Sequence, residues 1–165
     1  MTTDQSLRML DLVSAWVRQV DTKAGFVTTL VLALNAVSTQ LLVNHAIHLP
    51  TVFELFFHLG CWTAAALGVA TIWPRLSKYS VLKERTHPSP VYFRDIASRL
   101  GDIEAFADHI ESLPDEELRR EVLNQVHINS RIAVRKTKLL RYQLVAATAA
   151  GLTFIGAVVN QVLMR

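Results

Sequence analysis

Residues 115–165 read DEELRREVLNQVHINSRIAVRKTKLLRYQLVAATAAGLTFIGAVVNQVLMR. The stretch follows Pro114, a residue suited to a helix start, and opens on three acids, Asp115, Glu116 and Glu117, that favour the positive end of a helix dipole. It contains no further proline, and its first glycine is Gly151. The first half carries Arg119, Arg120, Arg131, Arg135, Lys136, Lys138 and Arg141, while 144–164 holds no charge. At ~1.5 Å per residue that uncharged run is about 30 Å long, the thickness of a bilayer core. One helix therefore begins in water and ends in lipid, and the rest of the chain is read around it.

The chain has 165 residues, 51% of them hydrophobic, and a mean hydropathy of +0.28. The apolar residues are bunched into long uncharged runs, which points to a membrane protein rather than a large soluble core. The single cysteine, Cys61, lies within such a run and reads as a small buried hydrophobe. A lone cysteine excludes an intrachain disulfide. The net charge of +3 does not argue for a nucleic-acid partner, because the basic residues cluster beside apolar runs. Charged residues are spread through the first 23 positions, which does not fit a cleavable signal peptide; the first span is expected to insert as an uncleaved anchor.

Residues 1–23 are expected to form an amphipathic cytosolic helix, capped by Asp4 or Ser6, with Met9, Val13, Trp16 and Val20 on one face. That face packs on other helices or lies on lipid. The helix should continue into a first span, 24–46, with Asn35 near its midpoint. A second span, 52–73, carries Gly60, Ala64 and Gly68, a ridge of small residues that lets a neighbouring helix approach. Residues 75–142 form a helical cytosolic region of mixed charge, interrupted at His87-Pro88-Ser89-Pro90 and including a short helix with Ile103, Phe106 and Ile110 on one face. The third span is 144–164. The turn between the first two spans lacks Lys and Arg, whereas the opposite flanks are rich in both, so the N-terminus is expected inside and the C-terminus outside. The fold class is thus an all-α membrane protein with three transmembrane helices and a helical cytosolic stalk, the last helix running unbroken from cytosol through membrane.

No motif of an enzyme is present: no Gly-rich phosphate loop, no Gly-x-Ser-x-Gly elbow, no His-Glu-x-x-His. His45 and His48 lie near enough in sequence to share a metal, but two turn histidines in water explain them as well, and no catalytic or metal site is assigned. The informative pattern is a seam of alternating spacings 4 and 3 on the long helix: Leu118, Val122, Gln125, Asn129, Ile132, Lys136, Leu139. Three polar residues interrupt it. They either set register in an oligomer or, with Arg135, line a small-molecule site in which amides read a base edge and cations meet a phosphate. Phe93 and Arg94 offer a second stacking and phosphate-holding pair, or a core aromatic beside a surface charge. Asp21, Lys23 and Asn35 mark the mouth and middle of the first span. Asp21 and Lys23 either solvate a helix end or pair with basic residues above the third span and gate it. Asn35, Ser38, Thr39, Thr148, Thr153 and Asn160 are the polar groups available to line a pore.

Several stretches, in order, carry a resemblance. These are Trp16 with Asp21-Thr22-Lys23-Ala24-Gly25, then Asn35, Trp73-Pro74-Arg75 and Val91-Tyr92-Phe93-Arg94-Asp95-Ile96-Ala97. The last is the run Gln125-Val126-His127-Ile128-Asn129-Ser130-Arg131-Ile132-Ala133-Val134-Arg135-Lys136. Together they resemble the transmembrane effectors of Pycsar, the pyrimidine-cyclase anti-phage systems of bacteria. The resemblance implies a non-enzymatic effector in the inner membrane. It would respond to cUMP or cCMP made by a partner cyclase, impair the membrane and cause abortive infection, without other cofactors. A homo-oligomer is expected because three spans with few polar faces do not enclose a pore alone. The chain has no separate cyclic-nucleotide-binding domain, so a ligand site would have to be built from the cytosolic helices. The competing expectations are a passive oligomeric scaffold and an intrinsically leaky, holin-like pore.

Overall fold

The computed structural model describes residues 2–43, 51–73, 91 and 102–163. Four helices hold nearly all of them: α1 Thr3–Val43, α2 Thr51–Ile72, α3 Ile103–Ser112 and α4 Asp115–Leu163. No strand occurs among the described residues. Helices α1, α2 and α4 are each long and apolar enough to cross a membrane, so the chain is an all-α membrane protein. Phe93 and Arg94, the turn holding His45 and His48, and the break at His87-Pro88-Ser89-Pro90 lie outside the described residues.

Local chemistry explains where the helices begin. Thr2 N–H donates to Gln5 Oε1 at 2.9 Å and Gln5 N–H donates to Thr2 Oγ1 at 3.3 Å, a reciprocal cap that satisfies two orphan donors. This cap lies earlier than the expected Asp4 or Ser6; Ser6 is instead fully buried, its hydroxyl turned back onto the Thr2 carbonyl. Asp102 caps α3 through Glu104 N–H. The Pro114 carbonyl accepts from Glu117 and Leu118, and the three acids of the first turn of α4 meet its dipole as expected.

The chain divides into two compact units, to both of which α1 and α4 contribute. The first takes the described residues of 1–18 and 74–134. Among its described residues, Val122, Val126 and Ala133 of α4 are the buried apolar ones, and Ser6 of α1 is buried with them. Of the predicted face on α1, Val13 is partly buried, whereas Met9 and Trp16 are exposed. The contact stripe runs instead through Ser6, Leu10, Val13 and Val17, a rotation that brings Ser14 toward α4. On α3, Phe106 and Ile110 are partly covered and Ile103 is exposed.

The second unit takes the described residues of 19–73 and 135–165. Its core is Val31, Phe57, Cys61, Ala64 and Ala150, flanked by Val27, Leu34, Ala146, Ala147 and Phe154. Within this unit, hydrogen bonds join Asp21 to Lys136 and Thr28 to Gln143, so α1 and α4 run parallel. Helix α2 runs antiparallel to both, with His58 on Asn35 and the Gly68 position against Thr28 and Gln143. The small-residue ridge of α2 makes this packing possible: a Cβ on Gly60 would stand 3.0 Å from the Ala150 Cβ, and Ala64 is fully buried. Close van der Waals packing of this kind is what holds helices together in lipid, where apolar burial adds no separate drive.

Candidate functional site

The polar residues of the long seam are engaged with one another and with α1. In the first unit Gln125 Nε2 donates to Asn129 Oδ1 at 3.3 Å, and Asn129 Nδ2 donates to Ser14 Oγ at 3.4 Å. All three side chains are half-buried. The long distances mark weak bonds, and amides held this loosely can exchange partners at small cost. An open depression of about 790 Å³ is lined in the same unit by Pro114, Glu116, Arg119, Arg120, Leu123 and Asn124, among others. It contains none of the candidate ligand-binding residues read from the sequence, and its charge is mixed.

In the second unit Lys136 Nζ donates to both carboxylate oxygens of Asp21, at 2.6 and 2.7 Å. The side chains are 14% and 31% exposed, respectively. A charge-assisted bidentate contact with this much burial is a strong one, because solvent screens it poorly. Lys23 is exposed and Arg135 half-buried; neither forms an ion pair among the described residues. The structure thus unites Asp21 with Lys136, one residue from each of two sets separated in the sequence reading.

One α4 turn-pair further along sits a node that the sequence reading missed. Gln143 is fully buried. Its Nε2 donates to the Ala24 carbonyl at 3.1 Å and to Thr28 Oγ1 at 2.9 Å, while Thr28 Oγ1 itself donates to the Ala24 carbonyl at 2.8 Å. Among the described residues no donor reaches Gln143 Oε1. A buried, unsatisfied acceptor costs about 1–3 kcal/mol. The signal for Gln143 was in the seam itself: Asn129, Lys136 and Gln143 are seven apart, as are Ser14, Asp21 and Thr28, and every pair has the offset of 115.

Asn35 also finds a partner. His58 Nδ1 and Asn35 Oδ1 are 2.7 Å apart, and Glu54 lies 4.0 Å from His58 Nε2 on the preceding turn of α2. Ser38 is buried and bonds to the carbonyls of Leu34 and Asn35. Asn35→Leu leaves the His58 ring without its interhelical partner and should cost about 1 kcal/mol, the usual size for such a bond in a membrane protein. Unfolding titrations in mixed micelles would read this; an unchanged midpoint would show that the pair contributes nothing.

Among the described residues no three His, Cys, Asp or Glu side chains could hold one metal ion. A family model described as the Pycsar effector protein domain matches residues 5–162, almost the whole chain. No curated protein and no solved structure matches it.

Proposed function

The chain belongs to the Pycsar effector family, and from that premise we propose that it answers cUMP or cCMP from a partner cyclase by impairing the inner membrane, so that an infected cell dies. The family match supports an effector of a cyclic-nucleotide anti-phage system. Three helices long and apolar enough to cross a membrane support an output at the bilayer. The observation that carries the step from signal to output is the Lys136–Asp21 pair. Lys136 is a cation already bound to an anion, and a nucleotide phosphate is a competing anion. The amides of Gln125 and Asn129 are the candidates for reading the base, with Phe93 and Arg94 as further candidates. Arg135 is a second cation for the phosphate, and Lys23 and Asn35 complete the proposed membrane polar set. Exchange of Asp21 for phosphate needs no catalysis, only a ligand that binds the open state better. A hundredfold preference corresponds to about 2.7 kcal/mol per site, and sites in a homo-oligomer add.

Dye release from vesicles containing the full chain tests this. Release is expected with cUMP or cCMP and not without nucleotide. Release without nucleotide would favour an intrinsically leaky pore, and no release under either ligand a passive scaffold. Asn129→Ala should raise the nucleotide concentration needed for release about tenfold, the loss of one or two modest hydrogen bonds, while leaving oligomer size unchanged. A collapse of oligomer size would assign Asn129 to register control instead.

A further inference from the structure

The membrane unit holds layers of polar side chains inside and a mainly apolar surface outside, on which Thr63, Thr148 and Asn160 are exposed polar residues. Its interior is layered along α1. Asp21 and Lys136 form a first polar layer, and Thr28 with Gln143 a second. Val31, Phe57, Cys61, Ala64 and Ala150 then make an apolar layer, each at most 4% exposed. Asn35, Ser38 and His58 form a further polar layer beyond it, with Glu54 at its edge. Phe57 is the largest fully buried side chain in the apolar layer, and its ring meets Phe154 of α4 at 5.3 Å between centroids.

The outward faces show the opposite character. Phe26, Leu30, Phe56, Trp62, Val145 and Leu152 are all exposed. The hydroxyls of Thr29 and Thr39, which also face out, are turned back onto the carbonyls of Gly25 and Asn35. Amide, imidazole and carboxylate groups at membrane depth are costly and mark pathways when they face an interior. Gln143 makes the point sharply: it is 0% exposed, and its Oε1 has no partner among the described residues.

We infer that the leak path of an open subunit runs through its own three-helix core, with the Phe57 layer as a hydrophobic gate, and that it passes water and small monovalent cations. The inference rests on the effector reading for its trigger but not for its route. In the closed subunit the oxygen acceptors of the two polar layers are met by donors: Asp21 by Lys136, the Ala24 carbonyl by Gln143 Nε2 and Thr28, and Asn35 Oδ1 by His58. When the nucleotide phosphate takes Lys136, the Asp21 carboxylate is left as a free anion beside the gate. Oxygen ligands suit hydrated monovalent cations. An apolar constriction between two polar layers stays closed by dewetting, and it conducts when the helices part enough to let water bridge the layers.

The chain carries its own reporter of this route, since Cys61 is its single cysteine and is buried in the gate layer. The full chain in vesicles is exposed to a cationic, membrane-impermeant methanethiosulfonate while potassium release is followed. With cUMP or cCMP, Cys61 of the otherwise unchanged protein should react at least tenfold faster than without. Phe57→Ala should release potassium and expose Cys61 with no nucleotide, whereas Phe56→Ala, on the outward face, should do neither. Trp62→Cys in a Cys61→Ala background should remain unreactive in the open state. Reaction at position 62 with Cys61 protected during release would overturn the core route in favour of one between subunits. Should Phe57→Ala fail to fold, the labelling of unaltered Cys61 decides alone. Should neither nucleotide trigger release, the effector reading fails, and the Phe57→Ala arm still decides the route: potassium release with Cys61 labelling upholds it, and a sealed, unreactive variant overturns it.

Discussion

Gly68→Ala is expected to lower the stability of the membrane unit by about 3 kcal/mol or more, the sum of overpacking and lost hydrogen bonds. A Cβ built at this position overlaps Thr28 Oγ1 and stands 2.5 Å from Gln143 Nε2 and 3.2 Å from Gln143 Cδ. These atoms have little freedom to yield. Thr28 Oγ1 is held on the Ala24 carbonyl, and Gln143 Nε2 is held on both. Moving Gln143 away breaks the bonds of its nitrogen while its oxygen already lacks a donor. Gly151→Ala and Gly156→Ala are the matched controls, since a Cβ at either meets nothing within 4 Å. They should be neutral or slightly stabilising, because alanine is the better helix former. Unfolding titrations in mixed micelles, followed by circular dichroism, would separate the three variants. Adding Thr28→Ala to Gly68→Ala should recover part of the loss, as it removes the overlapping hydroxyl. Equal midpoints for Gly68→Ala and Gly151→Ala would mean that this node does not hold the helices together.

Why Gly68 has to be glycine was half legible in the sequence. The spacing of Gly60, Ala64 and Gly68 announced a close helix approach but not which helix approaches. That depends on α1 and α4 pairing, a long-range fact that no local pattern encodes. The long α4 was legible because its evidence is local: three acids at the start, no breaker within, and a sharp change from basic to uncharged residues. The Gln125, Asn129 and Lys136 interruptions were legible as members of one seam, and each is partly covered. Gln143 escaped because hydropathy puts it just outside an uncharged span beginning at 144, although the seven-residue step from Lys136 points straight to it. Spacing alone put Trp16 on a face that packs on other helices or lies on lipid; it is exposed, and the contact stripe of α1 is rotated away from it by tertiary contact. His58 lies near the start of the second span, and only the antiparallel placement of α2 makes it the partner of Asn35.

Lys136→Leu is expected to cost about 2–3 kcal/mol, less than the figure for a fully buried pair because Asp21 keeps some solvent. Asp21→Leu should cost a similar amount, since either change strands a half-desolvated charge beside a membrane core. The double variant should recover most of the loss, because an apolar pair of similar volume needs no desolvation. A double-mutant cycle should therefore give a coupling of about 2 kcal/mol. Stability alone does not tell whether the pair is a clamp or a latch; the nucleotide response does. For a clamp, the double variant regains stability and keeps its response to cUMP or cCMP. For a latch, it regains stability and loses the response, because the phosphate no longer has a Lys136–Asp21 pair to break. Asp21→Asn separates the two further. It keeps Lys136 and removes its competing anion, so a latch predicts release at a nucleotide concentration at least tenfold lower, or release with no nucleotide. A clamp predicts only a less stable protein with an unchanged dose response. The bidentate contact at 2.6 and 2.7 Å fits both; a latch gives a reason, besides register control, for setting an ion pair where an apolar one would be cheaper.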